Sequence, residues 1–203
     1  MSNWIISPEK YLTDDEVEQL RKTLSDAATI ARSRGSQIAV RDQLIIEIAL
    51  GTGLRVSEIA GLKVEDLYLK KGQNALHVRN GKGGKDRVVQ FSSKLKKVVL
   101  EYLEYRRSGS LYLIHSKRGQ QMTRFGIGQV FKQWAQRAGL PAHYSIHSLR
   151  HTYATNLYKA SGYNLRLIQQ QLGHSSVSTT SVYSAVVSKD LDDALERLDE
   201  EAP

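Results

Sequence analysis

Apolar residues recur along this chain at two different periods, and the change of period marks its organisation. Thr13 followed by Glu16 is a capping-box pattern that opens a helix with Val17, Leu20 and Leu24 on one face. The run DQLIIEIAL (42–50) is too apolar to face water, so it predicts a buried helix stopped by Gly51 and Gly53. A short helix, VSEIAGL, follows. The period then falls to two. DLYL, ALHVRN and RVVQFS are short β-rich runs separated by the turn sequences KKGQN and GKGGKD, which predicts a small antiparallel three-stranded sheet. Helix returns from Ser93 to Arg107, with Leu95, Val98, Val99, Tyr102 and Leu103 on one face. LYLI (111–114) reads as a short extended piece, and TRFGIGQVFKQWAQRAG as a helix that ends at Gly139-Leu140-Pro141. The rest predicts helices over 146–161 and 164–172, a short one around 176–184, and an amphipathic acidic tail. No internal repeat or low-complexity stretch interrupts the pattern, and the first eight or so residues form a loose lead-in. The fold class is α+β and predominantly helical.

Charge changes the picture more than composition does. The 203 residues carry a formal net charge of +8, but the basic character is unevenly spread. The last fifteen residues, KDLDDALERLDEEAP, hold seven acidic and two basic side chains, so residues 1–188 have 27 basic against 14 acidic, a net charge of +13. A body that basic is attracted to a polyanion, most simply nucleic acid. There is no cysteine, which excludes disulfides and thiolate metal sites and fits an intracellular protein. No run of about eighteen apolar residues and no charged-then-apolar leader occur, so neither a membrane span nor a signal peptide is read.

Against that basic background, a few polar residues have the chemistry to hold a phosphodiester. Arg55 follows two glycines at the start of a helix, where its guanidinium can fork onto two phosphate oxygens and the helix N-terminus adds a favourable field. Glu58, one turn on, can pair with and orient it. His147 and Arg150 stand three apart in a helix capped by Ser145, so both can reach one phosphate. His143, His147 and His151 recur every four residues, but His143 precedes the cap and no acid is interleaved, which argues against zinc. His174 follows Gly173 at a helix end, a place that favours histidine through the dipole alone. Lys82 and Lys85 lie in the hairpin GKGGKD, which lacks the Walker spacing and joins two strands rather than a strand to a helix. On the residues alone that hairpin is a flexible basic turn. Tyr183 has a phenol whose ordinary pKa is about 10.

Taken in order, GTGLRVSEIAGL, VRNGKGGKDRVV, SIHSLRHTYATN, QQLGHSS and TTSVYSAV resemble the catalytic domain of the tyrosine recombinases, the phage-integrase family. The resemblance covers roughly residues 10–187. It implies that fold, with its small sheet at one edge, and a single catalytic domain over 1–203. Within it, 1–9 are lead-in, 10–187 the core and 188–203 a C-terminal amphipathic helix or tail. It implies a site-specific recombinase or integrase in which Arg55, Lys82, His147, Arg150, His174 and Tyr183 are catalytic and Glu58 supports. Lys82, rather than Lys85, becomes the general acid that protonates the departing 5′ oxygen, and His174 donates to the phosphate beside the nucleophile. Tyr183 attacks to give a 3′-phosphotyrosyl link, without metal, ATP or other cofactor. The partners implied are double-stranded DNA and self-association to a tetramer on it from a free monomer, with room for an accessory DNA-binding protein and none for a membrane. Localisation is expected to be cytoplasmic, with the nucleoid. Family members also carry an N-terminal core-binding domain, expected to be absent here because the catalytic domain begins almost at Met1. The readings that compete are type IB topoisomerase-like relaxation and a non-catalytic DNA-binding regulator on the same fold.

Overall fold

The computed structural model describes residues 8–79, 86–106 and 109–173. The helices expected around 176–184 and over the acidic tail lie outside them, as do Arg107 and most of the 1–9 lead-in.

The fold is built around one helix. α1 spans Asp14–Ser33, α2 Ile38–Thr52 and α3 Val56–Gly61. α2 buries Leu44, Ile45, Ile46, Ile48 and Ala49 on all sides, each at most 1% exposed, because α1, α3, α4 (Ser93–Tyr105), α5 (Arg124–Arg137) and α6 (Ile146–Ala160) all pack on it. A helix that is apolar all round can be stable only in such a place. Its one acid near the start, Asp42, is buried but fully partnered. Arg41 Nη2 donates to its Oδ1 at 2.7 Å and the Trp134 indole N–H to its Oδ2 at 3.1 Å. A buried carboxylate without such donors would carry a large desolvation cost.

Two expectations for this helix are corrected. α2 begins at Ile38, four residues before the apolar run, and its first turn already buries Val40. Gly51 does not stop it. The helix runs through Gly51 to Thr52, and Gly51 is where α4 packs close: an added Cβ there would stand 2.8 Å from Leu95 Cδ2. The stop is Gly53 alone, the C-cap, at φ 62°.

α1 starts at the expected capping box, with Glu16 N–H donating to Thr13 Oγ1 at 3.3 Å and Thr13 N–H to Glu16 Oε2 at 2.8 Å. The sheet is three-stranded and antiparallel in the order β1 (Leu67–Tyr68), β2 (Ala75–Val78), β3 (Arg87–Gln90). Leu76 pairs with Leu67 and Val89, and Val78 pairs with Arg87, so Leu76, Val78 and Val89 share the buried face. α4 ends at Tyr105, two residues short of the expected Arg107. LYLI makes a single bridge, Tyr112 to Lys63, and its Leu113 and Ile114 are fully buried. α5 ends at Arg137, with Gly139 beyond it at φ 69°.

α6 and α7 (Leu165–Leu172) form a smaller apolar cluster of Ala154, Tyr158, Ile168 and Leu172. The chain before α1 is tied to it, since Leu12 N–H donates to Thr152 Oγ1 at 2.9 Å. No described helix is long and apolar enough to cross a membrane.

Gly53 joins the two clusters. An added Cβ would lie 2.4 Å from Tyr153 Cδ1 and 2.7 Å from Leu172 Cδ2. Gly53→Ala should therefore lose about 2–4 kcal/mol, from left-handed strain plus overpacking. Urea denaturation checks this, and a change below about 0.5 kcal/mol would show that the junction yields instead.

Candidate active site

Arg55 is the N-cap of α3, with extended backbone (φ −70°, ψ 151°), two residues after the C-cap of α2. The turn between the helices is closed by Thr52, whose hydroxyl donates to Ile48 O at 2.6 Å and accepts Leu54 N–H at 3.3 Å. Glu58 reaches back from the third position of α3. Its Oε2 accepts Arg55 N–H at 2.7 Å and its Oε1 accepts Arg55 Nη1 at 3.0 Å. The pairing expected from the spacing is thus present, through both backbone and side chain.

A second guanidinium shares the carboxylate. Arg87 Nη1 donates to Glu58 Oε1 at 2.8 Å and Nη2 to Oε2 at 3.0 Å. Burial alone would push the Glu58 carboxyl up. The hydrogen bond from Arg87, that from the Arg55 backbone and the two positive charges outweigh it, and the pKa lies below its ordinary 4.5. Glu58 is anionic at neutral pH, and Arg55 and Arg87 together leave a surplus of positive charge around it.

α6 brings the next pair. Ser145 caps it, and its N–H donates to Ser148 Oγ at 3.1 Å. His147, in the first turn, is exposed, whereas Arg150 is only 7% exposed. Arg150 Nη1 donates to Gly53 O and its Nη2 to Leu172 O at 3.1 Å. Arg150 therefore meets the chain two residues before Arg55 and two residues before His174. His151 is half-buried, and burial first, then the charges of Arg150, His147 and Lys10, push its pKa down to about 4. It is neutral at physiological pH. His143 precedes α6 and lies against Tyr144, ring centroids 4.3 Å apart. Among the described residues no three histidines or carboxylates are gathered to hold a metal.

The described residues thus bring Arg55, Glu58 and Arg150 to one junction and set His147 one turn from it. Lys82, its rival Lys85, His174 and Tyr183 lie outside them. The chain leads to Lys82 from Val78 and on to Arg87, and to His174 from Gly173.

The sequence profile of the phage integrase family matches residues 10–189. The chain belongs to the phage integrase family. It is 36% identical over 191 residues to tyrosine recombinase XerA of Pyrococcus furiosus, covering 93% of this chain and 61% of that protein. Among solved structures, the crystal structure of XerA recombinase superposes with a TM-score of 0.75 at 28% identity, covering 95% of this chain and 64% of the other. XerH site-specific recombinase bound to difH substrate, in a pre-cleavage complex, superposes with a TM-score of 0.72 at 27% identity, over 86% of this chain and 50% of the other. The chain spans about 60% of the length of the curated relatives it matches. The mostly helical fold with its small antiparallel sheet is that of these tyrosine recombinases.

Arg87 was missed by the sequence reading. The signal was present: on β3 it alternates with Val88 and so falls on the same face as buried Val89, an inward-facing arginine that needs an acid.

The depressed pKa of Glu58 has a pH consequence. A carboxyl lowered in the folded state adds stability that is present above 4.5 and is lost as pH falls through the folded value. Glu58→Gln should therefore be less stable than wild type at neutral pH and converge with it in acid. Urea midpoints of both proteins between about pH 2.5 and pH 7 read this. A gap that stays constant across that range would exclude the ionised carboxylate as its source.

Proposed function

We propose that this chain is the catalytic part of a site-specific DNA recombinase that cleaves and rejoins strands through Tyr183. The observation that carries the reading is that Arg150 and Arg55 both stand at the junction between α2 and α3. Arg150 bonds to the Gly53 carbonyl and Arg55 stands two residues on, oriented by Glu58. Two arginines at one helix junction, with an excess of positive charge, suit a phosphate that gains negative charge in its transition state. Family membership and the likeness to XerA and XerH, the latter a complex with its difH substrate, support duplex DNA as the partner. The net charge of +13 over residues 1–188 supports it independently.

In this mechanism the Tyr183 phenol releases its proton to solvent and its oxygen attacks phosphorus in line, forming a 3′-phosphotyrosyl bond as the bond to the 5′ oxygen breaks. Lys82 gives that oxygen its proton. Arg55, Arg150, His147 and His174 stabilise the charge on the non-bridging oxygens. Rejoining is the reverse, with a 5′-hydroxyl of a new strand attacking and tyrosine leaving. The covalent link conserves the bond energy, so neither ATP nor metal is needed. We further propose that 10–187 is the catalytic core and that the 188–203 tail links protomers of a tetramer assembled on DNA.

Tyr183→Phe should abolish the SDS-resistant adduct on nicked duplex suicide substrates while DNA affinity stays within about twofold, because only the hydroxyl is removed. An adduct persisting in the Phe variant removes Tyr183 from this role. Lys82→Ala should recover much of its cleavage on a substrate with a 5′ sulfur leaving group, which needs no proton. Equal defects on oxygen and sulfur substrates would point to Lys85 or a water.

The tail has Leu191, Ala194, Leu195 and Leu198 at helical spacing, with acids opposite. Deleting residues 189–203 should weaken assembly on DNA and strand exchange more than DNA binding. Normal assembly by light scattering together with normal recombination would exclude an intersubunit tail.

A further inference from the structure

Outside the residues that the family resemblance supplies, Arg87 makes the contacts that reach furthest across the site. It is the first residue of β3. Its two terminal nitrogens meet both oxygens of Glu58, at 2.8 and 3.0 Å, in a parallel two-point pair. Its Nε donates to the Gln171 carbonyl in the last turn of α7 at 3.4 Å. The Arg87 and Glu58 side chains are 13% and 6% exposed, so little water competes. Gly173, at φ 63°, closes over the same guanidinium, and an added Cβ there would stand 2.8 Å from Arg87 Cδ and Nε. One side chain therefore spans three segments: α3, which Arg55 begins; the strand that follows Lys82; and the helix end that precedes His174.

The sharing of Glu58 has a chemical consequence. Its Oε1 accepts from both Arg55 Nη1 at 3.0 Å and Arg87 Nη1 at 2.8 Å. One carboxylate cannot neutralise two guanidiniums. Arg87 takes the two-point geometry, and Arg55 is left with one side-chain bond to Glu58 besides its backbone N–H. Without Arg87, Glu58 is free to close on Arg55 in the two-point manner, which would neutralise it and occupy the N–H groups that a phosphate needs.

We propose that Arg87 is a positioning residue: it holds Glu58 in a two-point pair so that Arg55 is oriented but not neutralised, and it fixes β3 against the end of α7 at Gly173. What Arg55 does for the phosphate rests on the function proposed above; the Arg87–Glu58 coupling does not.

The test uses the full chain with Arg87→Gln, Arg87→Lys, Glu58→Gln and the double variant Arg87→Gln/Glu58→Gln. One readout is independent of activity. The Glu58 carboxyl, followed by carbon NMR, should titrate below 4.5 in wild type and at higher pH in Arg87→Gln. The second readout is the rate of adduct formation on suicide DNA. Arg87→Gln should slow it on the order of a hundredfold with DNA affinity within about twofold. Arg87→Lys, which keeps the charge but not the fork, should fall between. The double variant should lose less than the product of the two single losses, because both changes break the same Arg87–Glu58 pair. An unmoved Glu58 titration, or losses that multiply in the double variant, overturns the proposal. Should Arg87→Gln lose its thermal transition, Arg87→Lys decides, and wild-type titration and rate in that variant overturn it equally. If wild-type protein forms no adduct on any substrate, the recombinase reading fails, and the Glu58 titration alone judges the coupling.

Discussion

Arg150 is the contact on which the site and the fold both depend. A guanidinium that is 7% exposed carries a heavy desolvation cost unless other groups replace its water. Here the replacement includes the ends of two helices. Gly53 is the C-cap of α2 and Leu172 the last residue of α7, so both accepting carbonyls are among those left without partners inside their own helices. Both also lie at the negative end of a helix dipole, which favours a cation. One buried charge thus satisfies two helix termini and pins α6 to both. The same charge stands beside the junction where Arg55 begins α3. A loss of activity on removing Arg150 would therefore combine its scaffold role with its proposed chemistry, unless stability is measured alongside.

The second constraint is how charge is distributed around Glu58. A lone carboxylate beside Arg55 would orient it at the cost of its charge, which would defeat the proposed phosphate-binding role. Two guanidiniums on one carboxylate avoid that outcome. Glu58 stays ionised despite burial, Arg55 keeps an ordered geometry, and the cluster stays positive. Asp42 is handled differently, with Arg41 on one oxygen and Trp134 on the other, and there the pair ends neutral within the core. The contrast separates a carboxylate that closes a core from one that tunes a site.

Much of this was legible in the sequence, for reasons that differ by residue. The Thr13–Glu16 box, the apolar run of α2 and the two-residue alternation around the hairpins are local signals, and local hydrogen bonding and burial obeyed them. Arg55 and Glu58 were readable because they are three apart on one helix. Gly51 was misread because a glycine can serve either a helix end or a close helix contact. The choice depended on Leu95, 44 residues away. Arg87 was missed for the same reason: its acid lies 29 residues earlier on a different element. The inward alternation of β3 carried the hint, but an arginine in a short basic stretch reads first as surface. The tertiary targets of Arg150, Gly53 O and Leu172 O, are backbone atoms and leave no trace in side-chain patterns at all.

These contacts also bear on how residues so far apart in the chain could serve the proposed site. The site residues read from sequence run from Arg55 to Tyr183, and a loose assembly of that span would place nothing to within the distances chemistry requires. The structure replaces looseness by fixing the points from which the segments leave. Val78 and Arg87 are paired across the sheet, so the segment carrying Lys82 starts and ends at set positions. Gly173 is held at φ 63° against Arg87, so the direction in which the chain leaves α7 towards His174 is set as well. Arg87 belongs to both of these anchors and to Glu58. A single inward-facing arginine on a four-residue strand thereby couples the start of α3, where Arg55 stands, to the departure points of two other segments, which makes the sheet, small as it is, part of the frame of the proposed site.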